Sequence, residues 1–171
     1  FAAAPPRDLD LRASPVYLRS DMSVGLKASG SVGHIAGVLN HLADFTGPPI
    51  MLTTDLVPTV NPVIEAHCVT PPEAFWAYPE LPSFVINDAF THEAARLDGR
   101  RLAFVYQRSS LQSFSGARLA ADRHVPSVVS YNGSEIWMSR TVGRPLDQRG
   151  RYGSVQDLNV PAAASAGAVS R

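Results

Sequence analysis

The sequence predicts an α/β protein with a mostly parallel sheet of five to six strands and helices on both faces. Short apolar runs alternate with segments of helical spacing over residues 16–170, an order that is typical of strand–helix–strand units. The run at residues 102–106 is almost entirely apolar, as expected of a parallel strand that is covered on both faces. This alternation predicts a Rossmann-like fold.

The predicted elements follow one another regularly along the chain. Gly47-Pro48-Pro49 ends the first helix and Asp98-Gly99 ends the second, because glycine and proline terminate helices. Prolines mark loops at residues 57–62 and 71–79, where they interrupt regular structure. The predicted strands are 16–22, 50–55, 64–69, 102–106, 126–131 and 166–170, and the predicted helices are 34–45, 83–97, 111–123 and 147–159, with a short helical turn at 136–139.

The domain organisation is simple. Residues 1–15 combine proline, charge and alanine without any period, which predicts a flexible leader. Residues 16–171 are predicted to form one Rossmann-like domain, since this length suffices for a single core.

The composition excludes several classes of protein. A formal net charge of zero provides no general attraction to nucleic acid or to an anionic membrane surface. The single cysteine, Cys68, excludes an internal disulfide, and its apolar neighbours predict a buried, structural thiol. No run is long and apolar enough to cross a membrane, which predicts a cytoplasmic location, with peripheral attachment at the inner membrane face as an option. The histidines lack the spacing of a metal site, so we expect no metal.

A glycine-rich loop between the first strand and the first helix is the strongest functional signal. Residues 25–34 lead into a helix N-terminus, where backbone N–H groups and the helix dipole bind anions, usually phosphate. Glycine lets the backbone approach a ligand closely, so Gly30, Ser31 and Gly33 are the predicted contacts. Lys27, the only lysine of the chain, is either a further phosphate contact or a solvated loop residue.

The segments after the fourth and fifth strands are expected at the same edge of the sheet. Right-handed crossovers gather the carboxyl ends of parallel strands there, and such folds bind their ligands at that edge. Tyr106 and Arg108 leave the fourth strand at this point. A planar guanidinium suits a phosphate group, and the alternative is a surface arginine that caps the strand end. Glu135, after the fifth strand, fits the role of a base or of a sugar-hydroxyl partner. His34 is a second candidate base, or simply a polar residue that opens the helix.

A dinucleotide-binding domain is a weaker alternative for the same segment. Residues 28–33 match the G-x-G-x-x-G pattern with its first glycine replaced, and Asp55 ends the second strand, where an acid that binds ribose would lie. However, the loop from Met22 to Ser31 is longer than the tight turn of that motif.

Three sequence segments, taken together, are more specific than the glycine-rich loop alone. They are Ser-Gly-Ser-Val-Gly-His-Ile-Ala-Gly-Val at residues 29–38, Phe-Val-Tyr-Gln-Arg at 104–108, and Ser-Tyr-Asn-Gly-Ser-Glu-Ile-Trp-Met at 130–138. Together they resemble the N-terminal, acceptor-side lobe of bacterial family 4 glycosyltransferases. The resemblance extends over residues 16–171 and implies one lobe of a GT-B enzyme, in which two Rossmann-like lobes enclose a cleft.

The resemblance also implies an activity. Such enzymes move a sugar from a nucleotide-sugar donor to a saccharide or lipid-linked acceptor in cell-surface polysaccharide synthesis, with retention of configuration and without a metal or other cofactor. In the family, the matching glycine loop approaches the donor diphosphate, which implies this role for Gly30 and Ser31. The candidate residues are therefore Glu135 and His34 for catalysis, and Lys27, Gly30, Ser31, Gly33, Tyr106, Arg108, Asn132, Gly133 and Ser134 for binding the donor diphosphate or the acceptor.

Two features depart from the pattern of the family. Nothing here resembles the C-terminal lobe that holds the nucleotide and its sugar, and Pro161 interrupts the end of the last helix. We therefore expect an isolated lobe that is inactive without its partner lobe, with a non-catalytic binding or assembly module as the alternative. Aromatic residues at 75–78 and 137–138, near the expected cleft, predict an exposed apolar patch and a homodimer.

Overall fold

The structure is a computed structural model, and the residues that it describes are 8–22, 25, 27–70, 73–75, 77, 81–131, 141 and 165–168. The strands are β1 (Ser14–Arg19), β2 (Ile50–Thr53), β3 (Glu65–Cys68), β4 (Leu102–Arg108), β5 (Ser127–Tyr131) and β6 (Ser165–Ala168). All neighbouring strands are parallel, in the order β3-β2-β1-β4-β5-β6. The helices are α1 (Gly30–Leu42), α2 (Leu81–Ala94) and α3 (Ser115–Arg123), with 3₁₀ turns at Glu73–Phe75 and Ala95–Leu97. The predicted parallel α/β fold is confirmed.

Helices cover both faces of the sheet. Successive residues of a strand point to opposite faces, so Tyr17 and Leu18 of β1 enter different cores. Leu18 belongs to a buried cluster with Phe90 of α2 and residues of α3. Tyr17 belongs to a second cluster with Ile35 of α1. The two clusters pack the central strands between the helices.

The order of the strands determines where a ligand can bind. The chain moves outward from β1 to β2 and β3, then crosses back and adds β4 on the other side of β1. The central pair of strands is β1 and β4. At its carboxyl end, Arg19 of β1 lies between Arg108 of β4 and Thr53 of β2. In open α/β sheets, the crevice beyond the strand ends at such a reversal is the usual ligand site.

Several boundaries differ from those predicted. The helix α1 begins at Gly30 rather than at His34, because Ser29 caps it: the Ser29 Oγ accepts a hydrogen bond from the Val32 N–H at 3.2 Å. Gly30 and Gly33 therefore lie in the first turn of the helix and not in the preceding loop. The strand β1 begins at Ser14, so residues 14 and 15 belong to the sheet and not to the predicted leader.

The helix α3 begins at Ser115, four residues later than predicted. Gln112 has a left-handed backbone with a φ of 58°, which a right-handed helix does not accept. The preceding segment, 109–114, is instead a loop that the Asn87 side chain holds by accepting from the Phe114 and Ser115 N–H groups at 2.9 and 3.0 Å. A contact from another helix thus determines where α3 begins.

The prediction of a buried Cys68 is wrong, because this side chain is exposed. Its strand, β3, pairs only with β2 among the described residues, and most of its residues are exposed. An apolar local sequence does not bury a residue that lies on an edge strand. Its thiol lies 3.6 Å from the Thr54 carbonyl oxygen, as a weak hydrogen bond.

Some predictions fall outside the described residues. They concern the turn at 136–139, the helix at 147–159, and most of the aromatic segments at 75–78 and 137–138. The weak sixth strand is confirmed as β6. None of the helices in the described ranges has the length and apolar character needed to span a membrane.

Candidate functional site

The N-terminus of α1 forms one wall of the candidate site. Ser29 uses its side chain for Val32 and its carbonyl oxygen for the Gly33 N–H at 3.0 Å. The N–H groups of Gly30 and Ser31 belong to the first turn, where a helix supplies no acceptor of its own. A methyl group on Gly30 or Gly33 would meet no atom within 4 Å. The space beside the Cα atoms of Gly30 and Gly33 is therefore open, and the N–H groups of the first turn lie at the positive end of the helix, which suits an anion.

His34 follows on the same first turns of α1. Its ring is partly buried, and its Nδ1 atom is inaccessible and has no hydrogen-bond partner among the described residues. Burial, and then the positive charge of Arg108, lower the pKa of His34 below its ordinary value. The ring is therefore neutral at physiological pH, the form in which an imidazole accepts a proton.

Two tyrosines lie beneath α1. Tyr17 and Tyr106 stack with ring centroids 5.0 Å apart and planes 13° from parallel. Tyr17 is fully buried, and its hydroxyl has no partner within the described part of the chain. Burial first, and then Tyr106, raise the pKa of Tyr17 well above its ordinary value. The Tyr17 hydroxyl therefore stays protonated and can donate a hydrogen bond. The positive charge of Arg108 lowers the pKa of this hydroxyl, but by less than burial raises it.

Arg108 supplies a cation at the end of β4. Its Nε atom lies 3.9 Å from an Asp21 carboxylate oxygen, and its side chain is 15% exposed. This separation exceeds a hydrogen bond, so the contact is an ion pair without one. Arg108 is thus a largely desolvated cation beside the α1 N-terminus, a combination that favours an oxyanion ligand.

Arg19 and Asp21 were missed by the sequence analysis. Arg19 is 1% exposed and donates to both Asp21 carboxylate oxygens, from Nε at 3.0 Å and from an Nη at 3.1 Å. Its other Nη donates to the Asp55 carbonyl oxygen at 3.1 Å. An arginine at the end of an apolar strand was the one signal available, because a buried charge requires a partner.

Asp55 is engaged within the protein itself. Its carboxylate accepts a hydrogen bond from the Gly25 N–H at 2.6 Å, where Gly25 has a left-handed φ of 79° that glycine adopts without strain. This contact fixes the loop that leads into α1. It engages one oxygen of the carboxylate that a dinucleotide would need for its ribose.

A second polar group lies between β4 and α3. The Ser20 hydroxyl contacts those of Ser110 at 2.8 Å and Ser113 at 2.5 Å. The Gln107 Nε2 donates to the Ser113 carbonyl and hydroxyl oxygens at 3.0 and 3.1 Å. These bonds attach the segment after β4 to the end of β1, and so fix the far wall of the crevice.

The structure brings together only part of the predicted site. Gly30, Ser31, Gly33 and His34 lie on α1, and Tyr106 and Arg108 lie on β4 beneath its N-terminus. Lys27 is exposed in the loop before α1. The remaining predicted residues, Asn132, Gly133, Ser134 and Glu135, lie outside the described residues.

No protein-family model matches this chain, and no curated protein sequence matches it significantly. Within the described ranges, no group of three or more His, Cys, Asp or Glu side chains is arranged to hold a metal ion.

Proposed function

We propose that this chain is the acceptor-side lobe of a cytoplasmic glycosyltransferase that uses a nucleotide-sugar donor in cell-surface polysaccharide synthesis. One observation supports the proposal most: hydrogen-bond donors and a cation converge at the carboxyl end of β1 and β4. They are the first turns of α1, which carry His34, and Arg108, whose charge acts on His34. A set composed of donors suits the oxygens of a diphosphate, the leaving group of such a donor.

The proposed reaction assigns a role to each group. The bond between the sugar C1 and the diphosphate oxygen breaks, and the diphosphate leaves with the electron pair. The Gly30 and Ser31 N–H groups and Arg108 stabilise that charge. The acceptor hydroxyl forms the new bond to C1 and loses its proton to a base. His34, whose side chain is partly exposed and whose pKa is lowered, and Glu135 are the two candidate bases.

The complete enzyme would need a second lobe. The resemblance implies that a C-terminal lobe holds the nucleotide and sugar, and that the acceptor is a saccharide or a lipid-linked saccharide bound by this lobe. Self-association of the lobe through its aromatic segments belongs to the same proposal. A binding or assembly module without catalysis remains the alternative for the lobe by itself.

A dinucleotide-binding domain is the second candidate function, because the observed strand order β3-β2-β1-β4-β5-β6 is also that of dinucleotide-binding sheets. The Asp55 carboxylate already accepts from the Gly25 N–H through one oxygen at 2.6 Å, so a ribose would have to share this carboxylate with the loop. The two candidate functions require different ligands, a nucleotide sugar or a nicotinamide dinucleotide, so binding measurements distinguish them.

The test measures binding of nucleotide sugars and of nicotinamide dinucleotides to the full chain by calorimetry. The resemblance assigns the nucleotide and the sugar to the C-terminal lobe, so we expect a nucleotide sugar to bind this chain weakly, through its diphosphate alone. Gly30→Ala should weaken that binding at least about tenfold, because a methyl group would displace the diphosphate from charge-assisted hydrogen bonds. Stability should not fall, since the space around Gly30 is open. The matched control is Gly37→Ala, later on the same helix and equally open, which should leave binding unchanged.

Two results would contradict the proposal. One is that no nucleotide sugar binds the chain at millimolar concentration. The other is that a nicotinamide dinucleotide binds and competes at the same site, which would favour the second candidate.

A further inference from the structure

The most unusual residue of the described chain is the buried Arg19. It ends β1 at 1% exposure, between Thr53 of β2 and Arg108 of β4. Removing a guanidinium from water is costly unless charged or strongly polar partners replace the water. Asp21 and the Asp55 carbonyl oxygen do so at 3.0 to 3.1 Å.

These two partners connect Arg19 to both walls of the candidate site. Asp55 binds the Gly25 N–H through its carboxylate and so fixes the loop before α1. The backbone on either side is fixed as well, because the Thr54 Oγ1 donates to the Asp21 carbonyl oxygen at 2.5 Å. Asp21 in turn reaches Arg108 at 3.9 Å.

The distances show an unequal sharing of Asp21 between two arginines. Arg19 binds both carboxylate oxygens in the side-on, two-bond geometry that guanidinium and carboxylate prefer. Arg108 lies beyond hydrogen-bond distance from the same carboxylate. The N–H groups of Arg108 make no hydrogen bond with the described residues. A bidentate bond is the stronger of the two interactions, so Arg19 neutralises Asp21 and leaves Arg108 for another anion.

We propose that Arg19 is a positioning residue of the anion site: it occupies Asp21, and thereby keeps the guanidinium of Arg108 available for a diphosphate. Arg19 does not touch the ligand. Without it, Asp21 would pair directly with Arg108 and compete with the ligand for the same N–H groups. The inference rests on the proposed function, because a diphosphate is the ligand for which Arg108 is held.

The test uses pyrophosphate as the probe and calorimetry on the full chain. Arg19→Met removes the competing partner of Asp21, so pyrophosphate affinity should fall at least about tenfold, the loss that one charge-assisted bond represents. The double variant Arg19→Met/Asp21→Asn removes the buried charge as well. It should recover to within about threefold of wild type, since such pairs are replaceable by uncharged residues. A surface control is Arg96→Met, whose side chain is 70% exposed, and it should bind like wild type.

A second measurement reports on Arg108 directly. The Nε–H resonance of Arg108 should exchange more slowly with water in Arg19→Met than in wild type, because it would then be hydrogen-bonded to Asp21. If Arg19→Met does not fold, the double variant and Asp21→Asn still test the inference. Both should bind pyrophosphate with at least about one third of the wild-type affinity.

The possible outcomes are distinct. Recovery in the double variant together with slowed Arg108 exchange in Arg19→Met supports a positioning role. Removing Asp21 would also relieve a defect caused by its unpaired buried charge, but that defect would not place a hydrogen bond on Arg108. Equal weakness of the single and double variants, or wild-type binding by Arg19→Met, overturns the inference. If the wild-type chain binds neither pyrophosphate nor a nucleotide sugar, the proposed function fails. In that case the exchange of the Arg108 Nε–H with water still tests the positioning role. Slower exchange in Arg19→Met than in wild type would support the role, and an unchanged rate would overturn it.

Discussion

Asn87 of α2 offers the sharpest test of how this fold is held together. The side chain is fully buried, and its Nδ2 donates to the carbonyl oxygens of Phe84 at 3.0 Å and Gln112 at 2.9 Å. Its Oδ1 accepts from the Phe114 and Ser115 N–H groups at 2.9 and 3.0 Å. Because the residue before α3 provides no side-chain cap, Asn87 satisfies that helix end from a different element.

The expected magnitude follows from these bonds. In Asn87→Ala, the Gln112 carbonyl and the Phe114 and Ser115 N–H groups lose their partner. At about 1 kcal/mol for each backbone group left unsatisfied, the free energy of unfolding should fall by about 3 kcal/mol. For a chain of this size, that loss corresponds to a decrease in Tm of about 6 to 12 °C, and to a shift of about 1 M or more in the urea midpoint.

The control is another asparagine that also binds two backbone groups. Asn40 donates to the Thr59 carbonyl oxygen at 3.0 Å and accepts from the Asn61 N–H at 2.7 Å, both at the surface. Water replaces these bonds, so Asn40→Ala should cost under about 1 kcal/mol. Urea unfolding of the two variants, followed by circular dichroism, gives the comparison. Equal losses would refute the reasoning that burial makes Asn87 the more important residue.

Two further predictions concern close packing and acid stability. Gly116→Ala would place a methyl group 2.8 Å from the Gln107 Cβ, so the free energy of unfolding measured in urea should fall by about 1–3 kcal/mol. Gly37→Ala, in open space, should raise it by about 0.5–1 kcal/mol. Equal stability of the two variants would disprove this difference. The hydrogen bond from Arg100, at 2.8 Å, is the main cause that lowers the pKa of Glu65 in the folded state. Because the folded-state pKa lies below the unfolded one, Glu65 stabilises the fold at neutral pH, and this contribution is lost as the pH falls through the folded-state pKa. Glu65→Gln should therefore lose less stability than wild type between pH 7 and pH 3, and an identical acid loss in both would show that the ion pair contributes nothing.

Much of the fold was predictable because it depends on local patterns. The apolar run of β4 and the helical spacing before Gly99 identified a strand and a helix close to their observed bounds. The glycine-rich segment follows β1 as predicted, and its second half forms the first turns of α1. Its exact helix start was not predicted, since the cap by Ser29 competes with the longer loop that the glycines suggested.

The candidate site was predictable only where its residues follow strand ends directly. Arg108 and Tyr106 fit that rule, since they terminate β4. Arg19 also ends a strand, β1, but its role was missed because its partner Asp55 lies 36 residues away. Asn87 of α2 was missed for the same reason, since its partner Gln112 lies 25 residues away. A sequence pattern that extends over a few residues cannot reveal contacts between residues so far apart in the chain.

By itself, the sequence determined the parallel α/β class, the approximate elements and the edge at which the glycine-rich segment lies. These follow from hydrophobic periodicity and from helix-ending residues, which act over a few positions along the chain. The tertiary structure decided the strand order, the exposure of Cys68 on the edge strand β3, and the pairing of Arg19 with Asp21. These depend on which strands become neighbours, and on where a charge loses its water. Both are properties of the packed sheet, because burial and pairing arise only when distant segments meet.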